Sequence, residues 1–134
     1  MNFPENVLIT LEMTTMNPLT DHFRIPYHRG IPTDISWRDL RTNPLCGDEV
    51  RVGLQRHSGD SYSLFQEGRG CLVSQAAASL LCEEVEGWTL EELKTFREED
   101  LLELFEFELT PRRKRCALLA WEALRGVVEQ VGPG

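Results

Sequence analysis

Between Ser36 and Gln66 apolar residues alternate with polar ones, and beyond Cys71 they recur at every third or fourth position. A change of period from 2 to 3.6 means strands first and helices afterwards. Val50, Val52 and Leu54 alternate with Arg51, Gly53 and Gln55, and Tyr62, Leu64 and Gln66 form a second such run. Ser58, Gly59 and Asp60 supply the turn between them, so the two runs read as an antiparallel hairpin with one covered face. Trp37 and Leu40 mark a strand ahead of the hairpin, and a small three-stranded sheet is expected.

The helical half has its own punctuation. Gly68-Arg69-Gly70 ends the last strand, and Cys71 to Glu86 reads as a helix in which Ala76, Ala77, Ala78 and Ser79 allow close packing onto the sheet. Gly87 stops it. Thr89 with Glu92 three positions on is a capping box for a short helix, and another is expected over Glu98 to Phe105. Thr110 as N-cap and Pro111 at the first helical position open the longest helix. Its stripe of Cys116, Leu119, Ala120, Ala123, Leu124, Val127, Val128 and Val131 has the spacing of a core-facing surface. Near the N-terminus, Pro4, Pro18, Pro26 and Pro32 break up any long helix, leaving a short one over Pro18 to Phe23. Residues 1–18 are expected to be loosely ordered and residues 19–131 to form a single domain.

With 134 residues and 41% hydrophobic content the chain suits one domain with its own core. Asp and Glu number 22 against 14 Lys and Arg, and a net charge of −8 argues against a duplex nucleic-acid binder, which needs basic surface. No apolar run approaches the roughly 20 residues that span a bilayer. Val7 to Leu11 is short and has no basic residue before it, so neither a membrane span nor a secretory signal is expected. In the cytoplasm that this implies, the four cysteines read as thiols, ligands or nucleophiles rather than disulfides.

Cys46, Cys71 and Cys116 are widely separated, none belongs to a C-x-x-C pair, and the first is followed by Gly47 and Asp48. Three thiols and a carboxylate suit a metal, but only the fold could assemble them. In Cys46-Gly47-Asp48 the glycine permits a tight turn that aims thiolate and carboxylate at one centre. Cys71 sits at a helix start, where free N–H groups favour a thiolate or a bound anion. Cys82 follows on the same helix about 16 Å further along, too far to share an ion, and reads as a core residue. Cys116 taken singly is also more often core than ligand. Arg112, Arg113, Lys114 and Arg115, however, crowd positive charge at a helix N-terminus, where it is disfavoured by some tenths of a kcal/mol per residue. Such charge is expected to lower the Cys116 thiol pKa; the plainer alternative is a solvated basic turn that meets an acidic partner.

Together these residues carry a resemblance. Asn43-Pro44-Leu45-Cys46-Gly47-Asp48, Gly68-Arg69-Gly70-Cys71 with the Ser74 to Ser79 stretch, and Arg115-Cys116-Ala117-Leu118-Leu119-Ala120-Trp121 resemble the iron-sulfur cluster assembly scaffold family of IscU, SufU and the N-terminal part of NifU. Asp21-His22-Phe23, Pro26 and Arg29-Gly30 resemble that family's opening segment, so the likeness spans roughly residues 19 to 128. It implies an α+β fold, a three-stranded antiparallel sheet with helices on one face, in agreement with the periodicity. It further implies Cys46, Asp48, Cys71 and Cys116 as the site for a transient [2Fe-2S] cluster or Zn2+. Cys46, Cys71 and Cys116 would be sulfur acceptors served by a cysteine desulfurase, with recipient iron-sulfur apoproteins or carrier proteins downstream. That is a non-enzymatic scaffold or sulfur acceptor rather than an enzyme with turnover.

The subtype is divided. Arg115 stands where IscU proteins carry histidine and Trp121 looks like SufU, yet the 44 residues between Cys71 and Cys116 resemble IscU spacing. Leu109-Thr110-Pro111-Arg112-Arg113-Lys114 departs from the segment by which IscU engages its chaperone. A cluster scaffold is therefore the first reading, and a zinc-dependent sulfurtransferase with Cys116 or Cys46 as acceptor the alternative. A structural zinc domain ranks lower. A cysteine hydrolase would need His22, His28 or His57 beside a thiol, and none sits in a catalytic signature.

Overall fold

The computed structural model describes residues 27–132. The helix expected over 18–23 and the Asp21-His22-Phe23 and Pro26 positions lie outside the described residues. Strands β1 (Trp37–Asn43), β2 (Asp48–His57) and β3 (Ser61–Arg69) form one antiparallel sheet in the order β1-β2-β3. Helices α1 (Leu72–Glu84), α2 (Leu90–Thr95), α3 (Glu98–Leu102) and α4 (Pro111–Val131) follow.

The hairpin register is the one the alternation dictates. Leu54 pairs with Leu64 and Val52 with Gln66, which puts Val50, Val52, Leu54, Tyr62 and Leu64 on one buried face. Helices α1 and α4 cover that face with Ala76, Ala77, Leu81, Ala120, Ala123, Leu124 and Val127, all fully buried. Each fully buried Leu or Val contributes about 1.5–3 kcal/mol through removal of apolar surface from water. The opposite face is partly roofed by Ile31 and Ile35, whose side chains occupy the space a Cβ at Gly53 would need.

β1 departs from the simple alternation. Leu40 is 42% exposed, whereas Asp39 and Arg41 are half-buried toward α4 and pair at 2.6 Å. Trp37 and Leu40 are three apart and cannot share a face of a strand. Asp39 and Arg41 find room because residue 126 of α4 is glycine: a Cβ there would fall on Asp39 Oδ2.

The helix ends follow their caps. Cys71 is the N-cap of α1 rather than its first residue, and the helix ends at Glu84, two residues short of expectation, with Val85 N–H donating to Leu81 O. Gly87, at φ +81°, turns the chain so that its N–H reaches Tyr62 O. Thr89 and Glu92 form the expected capping box. α3 stops at Leu102 instead of Phe105, because Leu104 and Phe105 bond back three residues, to Leu101 O and Leu102 O, in turns that tuck Phe105 into the core. Thr110 caps α4 through Arg113 N–H, and the expected stripe is buried from Cys116 to Val128, with Val131 half-buried. Among the described residues no helix is long and apolar enough to cross a membrane.

Candidate metal centre

Asp48 is the first residue of β2, and the turn before it is organised by Asn43. The Asn43 carbonyl accepts from Cys46 N–H at 3.2 Å and Gly47 N–H at 2.8 Å, while its side chain accepts from Leu45 N–H at 3.1 Å. Gly47 at φ +77° closes the turn, and Asp48 returns to pair with Asn43. This holds the exposed Cys46 directly over the start of β2.

The Asp48 carboxylate is 1% exposed and is the hub of the site. Its Oδ1 accepts from Cys71 N–H at 2.8 Å, and its Oδ2 from the Cys71 thiol at 3.1 Å. The sulfurs of Cys116 and Cys46 lie within 4.8 Å of the same carboxylate. Burial alone would push this carboxyl up, but the hydrogen bonds outweigh it and hold the group below its ordinary pKa. Gly70, at φ +130°, makes the approach possible, since a Cβ there would collide with Asp48 Oδ1. Gly68 is similarly required, because its Cβ would fall on the Glu49 carbonyl across the ladder.

Ligand atoms of Cys46, Asp48 and Cys116 lie within 4.8 Å of one another, and Cys71 joins them through its bond to Asp48. Tetrahedral thiolate zinc has Zn–S bonds of about 2.3 Å, which places ligands about 3.8 Å apart. Cys46, Asp48 and Cys116 therefore fit such an ion with a contraction of about 1 Å, whereas Cys71 lies outside that group of three and would have to swing in to complete the set. Soft thiolates also suit an iron-sulfur cluster.

The four side chains line a cavity of about 300 Å3 that they share with Leu72, Val73, Thr110, Arg112 and Arg113. Two helix N-termini meet there. Cys71 caps α1, its sulfur accepting from Ser74 N–H at 3.5 Å, and Thr110 caps α4. Their dipole ends and the two guanidinium groups make the cavity suitable for anionic cargo.

The structure corrects one expectation. Cys116 is only 4% exposed, and burial, together with its hydrogen bonds to Asp48 and Cys71 and their negative charge, pushes its thiol pKa well up rather than down. Arg112 and Arg113 face the cavity mouth and Arg115 faces solvent, so burial of the sulfur, with the carboxylate beside it, outweighs them. Cys82 is fully buried in the core, where burial pushes its thiol pKa up, and it takes no part in the site. His28 and His57 do not line the cavity; His57 Nε2 bonds instead with Ser63 Oγ at 2.6 Å. The hub role of Asp48 had no sequence signal beyond its place after Cys46 and Gly47.

The model of the NifU-like N terminal domain family matches residues 15–131. The chain belongs to this family. A zinc-dependent sulfurtransferase SufU of Bacillus subtilis is 29% identical over 132 residues, covering 85% of this NifU-like chain and 89% of its own. The iron-sulfur cluster assembly scaffold protein IscU of Thermotoga maritima is 25% identical over 139 residues, covering 92% and 98%. Among solved structures, a protein of Fervidobacterium islandicum described as a SUF-system scaffold superposes with a TM-score of 0.69 at 24% identity, over 83% of this chain and 93% of that one. A NifU-like N-terminal protein of Brucella abortus does so at 0.68 and 19%, over 90% and 96%. Both share the IscU/SufU-like fold, and the α+β architecture read from the sequence is the one observed.

Proposed function

We propose that Cys46, Asp48, Cys71 and Cys116 hold an exchangeable metal cargo, Zn2+ or a nascent [2Fe-2S] cluster, and take persulfide sulfur from a cysteine desulfurase for delivery to recipient apoproteins or carrier proteins. The observation that carries this reading is the gathering of Cys46 and Cys116 within 4.8 Å of the buried Asp48 carboxylate, to which the Cys71 thiol is hydrogen-bonded. A bound metal would supply positive charge that keeps the thiols deprotonated at neutral pH. Asp48, as an oxygen ligand among sulfurs, is the weak corner at which the site opens. Cys71 N–H keeps Oδ1 engaged, so Oδ2 is the oxygen offered to a ligand position.

Cys46 is the favoured acceptor. It is exposed on a turn, whereas Cys116 is buried and Cys71, though exposed, has its thiol bonded to Asp48 Oδ2. Its thiolate would attack the outer sulfur of the donor's persulfide; a new S–S bond forms as the old one breaks, and the donor cysteine leaves as a thiolate. No external oxidant is needed. The sulfurtransferase reading gains from Arg115, which brings no imidazole next to Cys116, and from the likeness to a protein named a zinc-dependent sulfurtransferase. All four cysteines are unpaired, which supports a cytoplasmic setting, and residues 19–131 are proposed as the single functional domain.

The test is anaerobic incubation with a cysteine desulfurase, cysteine and ferrous iron, followed by visible absorption, metal analysis and mass spectrometry. Cluster absorbance that is lost in the Cys46, Cys71 and Cys116 serine variants but kept in Cys82→Ser supports the scaffold. Persulfide on Cys46 with tight zinc and no cluster supports sulfur transfer. Neither cluster nor persulfide would refute both readings.

A further inference from the structure

Residues 83–108 contain eleven Asp and Glu against Lys94 and Arg97 alone, so this one segment carries a net charge of −9 and the rest of the chain +1. Within it lies an apolar groove of about 240 Å3 between α3 and the start of α4. Leu102, Phe107 and Leu109 supply its apolar surface. Glu99, Glu103 and Glu108 form its rim, and Lys114 closes the α4 end. Phe107 is 43% exposed, and its ring stands edge-on to the buried Phe105 at 6.3 Å between centroids. The inner ring therefore fixes the outer one as a platform.

Position adds a purpose. Leu109 lines the groove and the next residue, Thr110, lines the metal cavity; Lys114 lines the groove and Arg113 the cavity. The two concavities thus flank the first turns of α4, and whatever sits in the groove is beside the thiols. Three carboxylates around an apolar floor complement an apolar side chain flanked by cations, and such matching both steers encounter and fixes register.

We infer that this groove docks a basic segment of the partner protein that serves the metal cavity, an apolar anchor between Lys or Arg residues. Service to the cavity rests on the function proposed above; the docking itself does not. The probe is a lysine-rich peptide of about twelve residues with two leucines one helical turn apart, added to the full-length protein and followed by NMR and fluorescence anisotropy. Shifts should gather at Leu102, Phe107 and Leu109, and binding should weaken as salt rises. Phe107→Ser should weaken it about tenfold, the cost of losing an aromatic anchor. The Glu103→Gln/Glu108→Gln variant should weaken it and flatten the salt dependence. Cys46→Ser should bind the peptide unchanged, so failure of the metal reading leaves these results standing. Equal binding of a leucine-free lysine peptide, indifference to Phe107→Ser, shifts centred on Cys46 and Cys71, or loss of binding in Cys46→Ser would each overturn the inference. So would a dimer of the free protein that Phe107→Ser dissociates, since a second copy would then be the occupant.

Discussion

Gly70→Ala tests whether the site depends on a backbone that only glycine can supply. At φ +130° an alanine is strained, a cost of about 1–3 kcal/mol. Its Cβ would also drive Asp48 Oδ1 off the Cys71 N–H, a hydrogen bond to a charged group worth about 1.5–3 kcal/mol. Together these make about 2.5–6 kcal/mol, a large share of the roughly 5–15 kcal/mol that holds an ordinary domain together. Gly59→Ala is the control. Gly59 has φ +80° with nothing within 4 Å of its Cβ position, so only the backbone cost of about 1 kcal/mol remains. Urea denaturation with chelator present, followed by tryptophan fluorescence, measures both variants, and competitive titration measures their zinc affinity. Repeating Gly70→Ala in an Asp48→Ala background isolates the carboxylate's share of the collision and should lower the cost, though not to that of Gly59→Ala, because the Cα of residue 48 still lies 2.8 Å from the new Cβ. If Gly70→Ala proves no worse than Gly59→Ala, or its cost is the same with and without Asp48, the carboxylate does not depend on that close approach and the reasoning fails.

Asp48→Ala should leave a more persistent cluster, because the exchangeable corner is gone; faster loss of visible absorbance, or unchanged transfer to a recipient, would count against this. Thr110→Ala removes the hydroxyl that caps Arg113 N–H and should cost about 1 kcal/mol in chemical denaturation, with zinc affinity falling as the cavity wall frays. Cys82 gives a pH signature. Its folded pKa lies above the unfolded value of about 8.5, so its contribution is intact below that pH and is lost as pH rises, when only the unfolded state ionises. The difference in stability between the native protein and Cys82→Ala should therefore shrink by about 1.4 kcal/mol per unit above pH 9, and a constant difference would refute burial of that thiol.

The parts of the fold that were legible in the sequence are those in which one local rule decides. Val50, Val52 and Leu54 could face the core only by alternating, and Thr89 with Glu92 names a helix start by its own hydrogen bonds. The α4 stripe was readable for the same reason. β1 was not, because burial of Asp39 and Arg41 depends on Gly126, some eighty residues away, and no local pattern carries that. At the candidate site, the motifs singled out Cys46, Asp48, Cys71 and Cys116, which line one cavity, whereas the direction of the Cys116 pKa did not follow from them. The four basic residues beside it in sequence are visible at once, but the burial that raises the thiol, and the Asp48 carboxylate that adds to it, are made by the packing of sheet and helices.

β1 is an edge strand, and such edges invite pairing with strands of other chains. Here the inward side carries a charged pair, and one outward carbonyl, that of Arg38, is already taken by Gln130 Nε2. A second chain that added itself to this edge would have to displace the Gln130 amide and accommodate an ion pair against its own packing. The Asp39–Arg41–Gly126 arrangement, which looks like a flaw in the strand pattern, thus protects the protein against edge-to-edge aggregation.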